Sequence, residues 1–455
     1  MHLRRNKFLL IILFASGIFT SCQKEIDSTG NTPIPTPIPT PTPVASADDK
    51  LKDTVLLYTR EIYLWYNQIP ATFNPRTYAD PDAIMKAIRP FSIESGIQAD
   101  RFSFAMRQAD YNNLSSGISG DFGIGAGFYT TTDLRVTSVE RASPAGLAGI
   151  RRAWQIIKIN GSSNISTSEA DLAFLNKAIF GSTQTTFTFL KPDGNTVDIT
   201  LTATSYQTHP VALDSVYSIS SKKIGYMVFK SFLGDITEIN NEFNRVFSRF
   251  ATAGINDVII DLRYNGGGYV SLAEKLTNYL APSSATGVMM KQTFNDKNTQ
   301  RNSSTNFNKV GSVNLPRVFF IVGGGTASAS ELVINNLKPV MDVKLIGKTT
   351  YGKPVGFFPI PVGDWYIFPV SFKTINRSGE SNYYNGFSPD ADVFDGVTKD
   401  FGDITELRLA SAIKYITTGA FRVAAGDVYQ ESPKVKKGNL IFDAYTFKGA
   451  ISTIR

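Results

Sequence analysis

Residues 317–331 read RVFFIVGGGTASASE, and this stretch joins a strand to a helix. The apolar run 317–322 predicts a buried strand, the three glycines after it predict a tight turn, and residues 329–337 predict a helix. Ser328 therefore lies at a strand-to-helix turn, where the helix N–H groups and the helix dipole favour negative charge. The residues alone leave two interpretations open, a nucleophilic serine and an ordinary connection with a helix-capping serine.

A nucleophilic serine needs a neighbour that removes its proton. The chain has two histidines, of which His2 falls in a targeting segment, so His209 is the only candidate imidazole. A lysine is the other candidate base, and Lys353 follows a glycine 25 residues after Ser328. A free lysine titrates near 10.4, but burial in apolar surroundings lowers its pKa toward about 7 to 8. The alternative for Lys353 is a surface lysine after a turn glycine.

The strand-to-helix segment resembles the active site of the C-terminal processing (tail-specific) serine peptidases, which are related to the tricorn core. That family has a Ser-Ala-Ser-Glu run followed later by a Gly-Lys pair. Residues 261–268, DLRYNGGG, match a second family motif, D-L-R-x-N-x-G-G, and residues 120–205 resemble a PDZ domain. The resemblance spans most of residues 50–415 and implies a multidomain α/β protein with a crotonase-like layered catalytic core.

The resemblance assigns roles to individual residues. Ser328 would be the nucleophile, Lys353 the general base, and Glu331 a support that orients the lysine. For Glu331, a first-turn acid that the helix dipole favours is the other interpretation. The N–H groups of Ala329 and Gly267 would form the oxyanion hole, while Asp261 and Arg263 are expected to brace the loop.

The PDZ-like segment is predicted to bind peptide tails. Residues 122–128 resemble the carboxylate-binding loop and second strand of that domain, which makes the predicted peptide-binding residues Gly123, Ile124, Gly125 and Ala126. Backbone N–H groups of such a loop can capture a C-terminal carboxylate while the peptide adds as a strand. Residues 168–178 are expected to form a helix beside this groove. The family's usual Gly-Asp before the next strand is Ala153-Trp154 here. A PDZ fold that binds no tail is the alternative.

The other regions give a coarser pattern. Residues 47–69 and 80–88 have helical spacing, and the segment 47–115 is expected to be a helical cap without chemistry of its own. Residues 206–420 alternate strands and helices, which favours an α/β layered core. Its predicted strands are 223–229, 256–261, 317–322 and 343–346, and its predicted helices include 236–250 and 270–280.

The N-terminus resembles a bacterial lipoprotein signal. Three basic residues precede the apolar run 8–19, and residues 19–22 read FTSC, which resembles a lipoprotein cleavage box. A lipidated Cys22 would begin the mature chain. A plain signal peptide with an incidental cysteine is the alternative. Gln23 favours the outer membrane by the same resemblance. Residues 22–46 contain alternating proline, which predicts an extended spacer.

Composition excludes several classes of function. Of the formal net charge of +7, three positive charges belong to residues 1–21, and the rest is too even to indicate nucleic-acid binding. A single cysteine excludes an internal disulfide, and no metal or cofactor is expected. The predicted domains are 1–21 signal peptide, 22–46 linker, 47–115 helical segment, 120–205 PDZ-like domain, 206–425 peptidase core and 426–455 extension.

The sequence thus predicts an envelope-anchored serine endopeptidase that acts on unfolded or tail-exposed proteins. Its expected partners are protein or peptide substrates and the membrane that holds its lipid anchor. A catalytically inactive peptide-binding lipoprotein on the same scaffold is the second hypothesis. A Ser–His–Asp hydrolase that uses His209 is the third.

Overall fold

The computed structural model describes residues 45–421 and 449–452. The predicted signal peptide, Cys22 and nearly all of the 22–46 linker lie outside the described residues, as does most of the predicted extension. Among the helices that are described, none is both long and apolar enough to cross a membrane.

The N-terminal region, residues 46–119, consists of short elements that pack against the core. They are α1 (Ala47–Ile62), α2 (Pro81–Ile88), β1 (Ile93–Glu94), β2 (Ile97–Gln98), β3 (Phe104–Arg107), α3 (Gln108–Ser116) and β4 (Ile118–Ser119). Helix α1 ends at Ile62, well before Pro70, because the chain turns extended at Tyr63, which is fully buried. Helix α2 begins after Asp80, whose side chain caps the Ala83 N–H at 2.8 Å.

The next region, residues 122–203, has a core of its own. Its elements are β5 (Ile124–Phe128), β6 (Leu134–Val139), α4 (Pro144–Leu147), β7 (Gln155–Ile159), α5 (Glu169–Phe180), β8 (Gln184–Leu190) and β9 (Thr196–Thr202). The strands form an antiparallel sheet in the order β5-β6-β7-β8-β9, so β5 is an edge strand. Phe122, Phe187 and Phe189 are buried at the centre of this apolar cluster.

The third region carries the large sheet. Its elements are β10 (Tyr206–Gln207), β11 (Val211–Ile219), β12 (Lys222–Phe229), α6 (Ile236–Ala253), β13 (Asp257–Asp261), β14 (Gly267–Tyr269), α7 (Val270–Leu280), β15 (Val288–Phe294), β16 (Ser303–Asn306), β17 (Arg317–Val322), α8 (Ala329–Leu337), β18 (Asp342–Gly347), β19 (Val355–Gly356), β20 (Ile360–Val362), β21 (Trp365–Phe368), β22 (Phe372–Asn376), β23 (Ala391–Asp392), α9 (Leu407–Thr418) and β24 (Gly449–Ile451).

The large sheet has the strand order β11-β12-β13-β17-β18-β23, and all its pairs are parallel except β11 with β12. Alternate side chains of β17 enter different cores, since Val318 and Phe320 pack with helices α6, α7 and α8 while Phe319 and Ile321 pack with α9. The predicted α/β layering is therefore confirmed. Because β13 and β17 are adjacent and parallel, the loops after them meet at one edge of the sheet.

Candidate active site

The turn that carries Ser328 is strained and tightly held. Ser328 has φ +59° and ψ −109°, a conformation that costs an L-residue on the order of 1–3 kcal/mol. The loop after β13 clamps this turn, because Thr326 Oγ1 donates to the Leu262 carbonyl at 2.7 Å and Ala327 N–H donates to the Asn265 carbonyl at 3.0 Å. Strain that neighbouring groups maintain in this way is typical of a functional residue rather than of an ordinary helix cap.

Glu331 connects the two predicted catalytic residues through their main chains. Its Oε2 accepts the N–H of Ser328 at 2.9 Å and the N–H of Lys353 at 2.8 Å. Its Oε1 accepts the Gly352 N–H at 2.7 Å and the Thr350 hydroxyl at 2.6 Å. Burial raises the pKa of this carboxyl, and the four donors oppose that shift. Glu331 therefore holds the main chains of both residues, and its predicted role in orienting the lysine stays a prediction.

Lys353 lies in an aromatic environment that disfavours its charge. Its side chain is buried, with Nζ 3.7 Å from the ring centre of Phe357 and 5.2 Å from that of Phe102. This burial lowers the pKa of Lys353 well below its ordinary value, and the nearby charges of Asp100 and Glu331 only partly oppose the shift. A neutral amine can accept a proton, so the geometry suits a general base. The surface-lysine interpretation is wrong.

The serine–lysine hydrogen bond itself is not formed. Ser328 is 1% exposed, and its Oγ has no hydrogen-bond partner within the described residues. Although Ser328 and Glu331 have the spacing of a capping box, only the bond from the Ser328 N–H is made. Catalytic hydrogen bonds often tighten only when a substrate is bound. His209 instead pairs with Glu238 of α6, through Nδ1 and Oε1 at 2.5 Å.

The two predicted oxyanion donors differ in their present partners. The Ala329 N–H, at the start of α8, donates no hydrogen bond to any described group. The Gly267 N–H donates to Asn265 Oδ1 at 3.0 Å. Gly267 lies in β14, which packs against α8, so it is near the serine turn. Its role as an oxyanion donor stays a prediction, and it requires that Asn265 share or release this N–H.

Arg263 braces the glycine loop, as the sequence predicted. Its guanidinium donates to Asp261 Oδ2 at 2.7 Å and to both oxygens of Glu406, at 2.9 and 3.0 Å. It also donates to Asp395 at 2.9 Å, and Arg152 of the inserted region contacts the same Asp395 oxygen at 2.7 Å. These groups are nearly all buried, so the network fixes the loop that leads to Gly267.

The N-terminal region supports the site by packing and hydrogen bonds, and the expectation that it has no chemistry of its own stays a prediction. Phe102 covers Lys353, and Arg101 donates to the Gly352 carbonyl at 3.2 Å and the Tyr384 carbonyl at 2.9 Å. Asp100 holds the backbone that presents them, because its Oδ1 accepts the Phe102 N–H at 2.7 Å. No motif in the sequence distinguishes these residues from packing residues.

The predicted peptide-binding residues lie on β5 and just before it. Gly123 has φ +74°, and its N–H donates to Asp121 Oδ1 at 2.6 Å. All residues of β5, including Ile124, Gly125 and Ala126, are buried. A cavity of about 50 Å³ adjoins the strand and is lined partly by Gly123, Gly125, Glu140, Ser231 and Leu233. That volume suits water rather than a peptide, so tail binding here stays a prediction.

The expected helix beside the groove is present as α5, which begins at Glu169 after the capping residue Ser168. The departure at Ala153-Trp154 has a structural consequence. Ala153 has φ +76°, in the left-handed region that favours glycine, so the chain keeps the turn geometry with a residue that is less suited to it.

Two segments of the chain match models of known families. Residues 223–393 match peptidase family S41, and residues 50–104 match the peptidase S41 N-terminal domain. The "Probable CtpA-like serine protease" of Staphylococcus aureus strain N315 is 27% identical over 259 residues, which are 56% of this chain and 49% of the relative. A protein of the same name from Staphylococcus saprophyticus is 26% identical over 259 residues, 50% of its length. The chain spans about half the length of the curated relatives it matches.

A solved structure agrees with these matches. It is assigned to the S41 proteases and comes from Bacteroides fragilis NCTC 9343, with 25% sequence identity and a TM-score of 0.66. The similarity covers 81% of this chain and 97% of that chain. Two segments of the chain are thus similar to peptidase family S41 and its N-terminal domain, and most of the chain is similar to one solved structure assigned to the S41 proteases.

Proposed function

We propose, from this similarity and from the site, that the chain is a serine endopeptidase in which Ser328 is the nucleophile and Lys353 the base. One observation carries the proposal. A strained serine, whose Oγ has no partner among the described residues, and a buried lysine of lowered pKa are both bonded, through their main chains, to the same carboxylate oxygen of Glu331. A structural serine or a surface lysine requires none of these features.

The proposed reaction is acyl transfer. Ser328 Oγ attacks a peptide carbonyl carbon while its proton passes to Lys353 Nζ. The tetrahedral oxyanion is stabilised by the Ala329 N–H and by a donor from the glycine loop, with Gly267 as our choice. Lys353 then gives the proton to the leaving amine, and the C–N bond breaks to leave an ester on Ser328. Water then attacks the ester carbonyl while Lys353 accepts its proton, the bond to Ser328 Oγ breaks, and Lys353 returns the proton to Oγ.

The test is hydrolysis of an unfolded reporter protein without added metal. We expect cleavage by the wild type and none by Ser328→Ala or Lys353→Ala, while the matched control His209→Gln retains full activity. If Lys353→Ala were as active as the wild type, the dyad would be wrong. If His209→Gln alone were inactive, the His209 hypothesis would replace it.

We further propose that residues 120–205 form a PDZ-like domain on a crotonase-like core and present substrates by their C-terminal tails. An antiparallel sheet with an edge strand that follows a glycine turn, and a helix over the same apolar cluster, support this proposal. Unfolded reporters with an apolar tail should have a lower KM than the same reporters with a charged tail. An equal KM for both would contradict tail recognition.

We also propose that the protein is a lipoprotein anchored in the bacterial envelope through Cys22, most consistent with the outer membrane. The basic and apolar residues before Cys22 support this, and Cys22 is the chain's single cysteine. Metabolic labelling with a radioactive fatty acid should label the wild type and not Cys22→Ala. Unlabelled wild-type protein in the soluble fraction would contradict the anchor.

A further inference from the structure

The strand β24 lies beside the loop that carries the predicted oxyanion donor. It pairs in parallel with β14, with Gly449 opposite Gly267, Ala450 opposite Gly268 and Ile451 opposite Tyr269. The other edge of β14 is already bonded to the core, because the Phe232 N–H donates to the Gly267 carbonyl and the Tyr269 N–H donates to the Phe232 carbonyl, both at 2.9 Å. The edge that β24 covers is therefore the edge that remains for an added strand.

The opposite side of β24 contacts the segment that follows Lys353. Ile451 forms a parallel bridge with Phe357, and the Ser452 N–H donates to the Phe357 carbonyl at 3.1 Å. Strand β19, just before Phe357, is bonded on its other side to β22. Residues 449–452 thus fill a slot one strand wide, between the strand of Gly267 and the strand that leads away from Lys353.

A peptide substrate of the proposed reaction needs this same slot. Its scissile carbonyl must lie between Ser328 Oγ and the oxyanion donors, so its backbone must run alongside β14 if Gly267 is one donor. Added strands bind to such edges through main-chain hydrogen bonds, and pockets for alternate side chains give specificity. The slot cannot hold both a substrate strand and β24, since neighbouring strands need a spacing of about 4.8 Å.

Ile451 is the side chain that holds the segment. It is 1% exposed and belongs to the apolar core together with Tyr269 and Phe357. Residues at matching register positions of parallel strands point to the same face, so Ile451 lies on the face of Phe357, whose ring covers Lys353 Nζ at 3.7 Å. Ser328 and Lys353 are each 1% exposed while the segment is in place.

We propose that the segment Gly449–Ser452 occupies the substrate-binding slot of the peptidase as an internal competitor, with Ile451 in the subsite that receives an aliphatic substrate side chain. This inference rests on the proposed function. A peptide substrate with two small residues followed by a branched aliphatic residue, as in residues 449–451, would bind in the same way. The segment has to leave the slot before such a substrate can bind.

The expected effect follows from intramolecular binding. A tethered ligand acts at an effective concentration on the order of 1 mM, so an intrinsic affinity of about 0.1 mM would keep roughly nine-tenths of the molecules closed. Displacement of the segment should then raise kcat/KM about tenfold.

The first experiment compares the full chain with Ile451→Asp and with a variant that ends at Lys448, using the unfolded reporter. Both variants should cleave about tenfold faster at low substrate. The matched control Ser248→Ala changes an exposed serine of α6, outside the segment and the proposed site, and should behave as the wild type. Thermal unfolding is measured on every variant. Unchanged or lower activity in both variants, whether with native or with lowered thermal stability, would make the segment a structural strand and overturn the inference.

The second experiment does not depend on catalysis. In the Ser328→Ala background, a fluorescent peptide with the sequence of residues 448–455 should bind the variant that ends at Lys448 and bind the full chain at least tenfold more weakly. A peptide with aspartate at the position of Ile451 is the control. Binding in this experiment, together with no reporter hydrolysis by the wild type or by either variant of the first experiment, would refute the proposed function and keep the slot assignment. Absence of binding to the shortened chain would refute the slot assignment.

Discussion

Substitution of Glu331 tests whether one carboxylate organises the site. In Glu331→Gln, the amide nitrogen can take the place of either carboxylate oxygen, and the place of Oε1 is the less costly one. There the Thr350 hydroxyl can rotate and accept a hydrogen bond from the amide, and only the Gly352 N–H loses its acceptor. One buried donor without a partner costs about 1–3 kcal/mol. In the opposite orientation, the N–H groups of Ser328 and Lys353 would both lose their acceptor, at about twice that cost. Glu331→Ala removes all four acceptor contacts, so its cost approaches the whole stability of a typical domain, about 5–15 kcal/mol.

Urea unfolding and reporter hydrolysis measure these effects together. We expect Glu331→Gln to lose about 1–3 kcal/mol of unfolding free energy and to lower kcat/KM at least tenfold, because small displacements of reacting groups are costly. The matched control is Glu169→Gln, an exposed acid in the first turn of α5. A first-turn acid that acts only on the helix dipole contributes about 0.3–1 kcal/mol. If Glu331→Gln were as mild as Glu169→Gln in both assays, the organising role would be refuted.

Five other predictions concern four single residues. The lowered pKa of Lys353 means that kcat/KM should rise with pH through that pKa, because the protonated amine cannot accept the serine proton, and a rate that is flat from about pH 5 to about pH 9 would contradict this. The unfolded chain binds this proton more tightly, so stability should also rise with pH between the folded and unfolded pKa values of the amine, and Lys353→Met should reduce that slope in urea titrations. Ser328→Gly should be more stable than Ser328→Ala by about 1 kcal/mol, because glycine relieves the positive φ and loses part of the gain to backbone entropy; equal midpoints would show that the turn is not strained. Ala153→Gly should likewise stabilise the protein by up to about 1 kcal/mol at φ +76°, and a lower unfolding midpoint would refute the argument. Arg263→Met leaves the charges of Asp261 and Glu406 buried without their partner, so it should cost about 3–5 kcal/mol in the same urea experiment; a loss below 1 kcal/mol would mean that water replaces the guanidinium.

The sequence predicts the strands of the large sheet well where an apolar run ends at polar residues. The predicted strands 223–229 and 256–261 match β12 (Lys222–Phe229) and β13 (Asp257–Asp261) to within one residue. Polar residues bound each apolar run, so the local sequence shows where each strand begins and ends. The strand-to-helix turn at Ser328 is equally local. Its proximity to the glycine loop then follows from topology, since β13 and β17 are parallel neighbours.

Other features depend on contacts that no local pattern records. Phe102 covers Lys353 from a segment that reads as ordinary packing, and only the folded chain brings the two together. The capture of the Gly267 N–H by Asn265 is a side-chain hydrogen bond that a motif cannot express. The pairing of β24 with β14 joins residues that are far apart in the chain. The sequence of residues 426–455 is mixed and leaves open whether they form an edge strand or a docking tail.

The geometry also explains how a site can be assembled and yet lack its central hydrogen bond. Glu331 Oε2 binds the main-chain N–H groups of Ser328 and Lys353, so the two backbone nitrogens lie within the sum of 2.9 and 2.8 Å of each other. Their separation is therefore set by the backbone, and we expect side-chain rotation, rather than a change in the fold, to bring Oγ and Nζ together when a substrate binds. Because residues 449–452 fill the adjoining slot, their departure and the arrival of a substrate would change the surroundings of both side chains at once. A serine-directed phosphonate probe should then react faster with Ile451→Asp than with the full wild-type chain, in the same ratio as the increase in kcat/KM. A faster cleavage rate with an unchanged rate of phosphonate labelling would show that the segment does not affect the reactivity of Ser328.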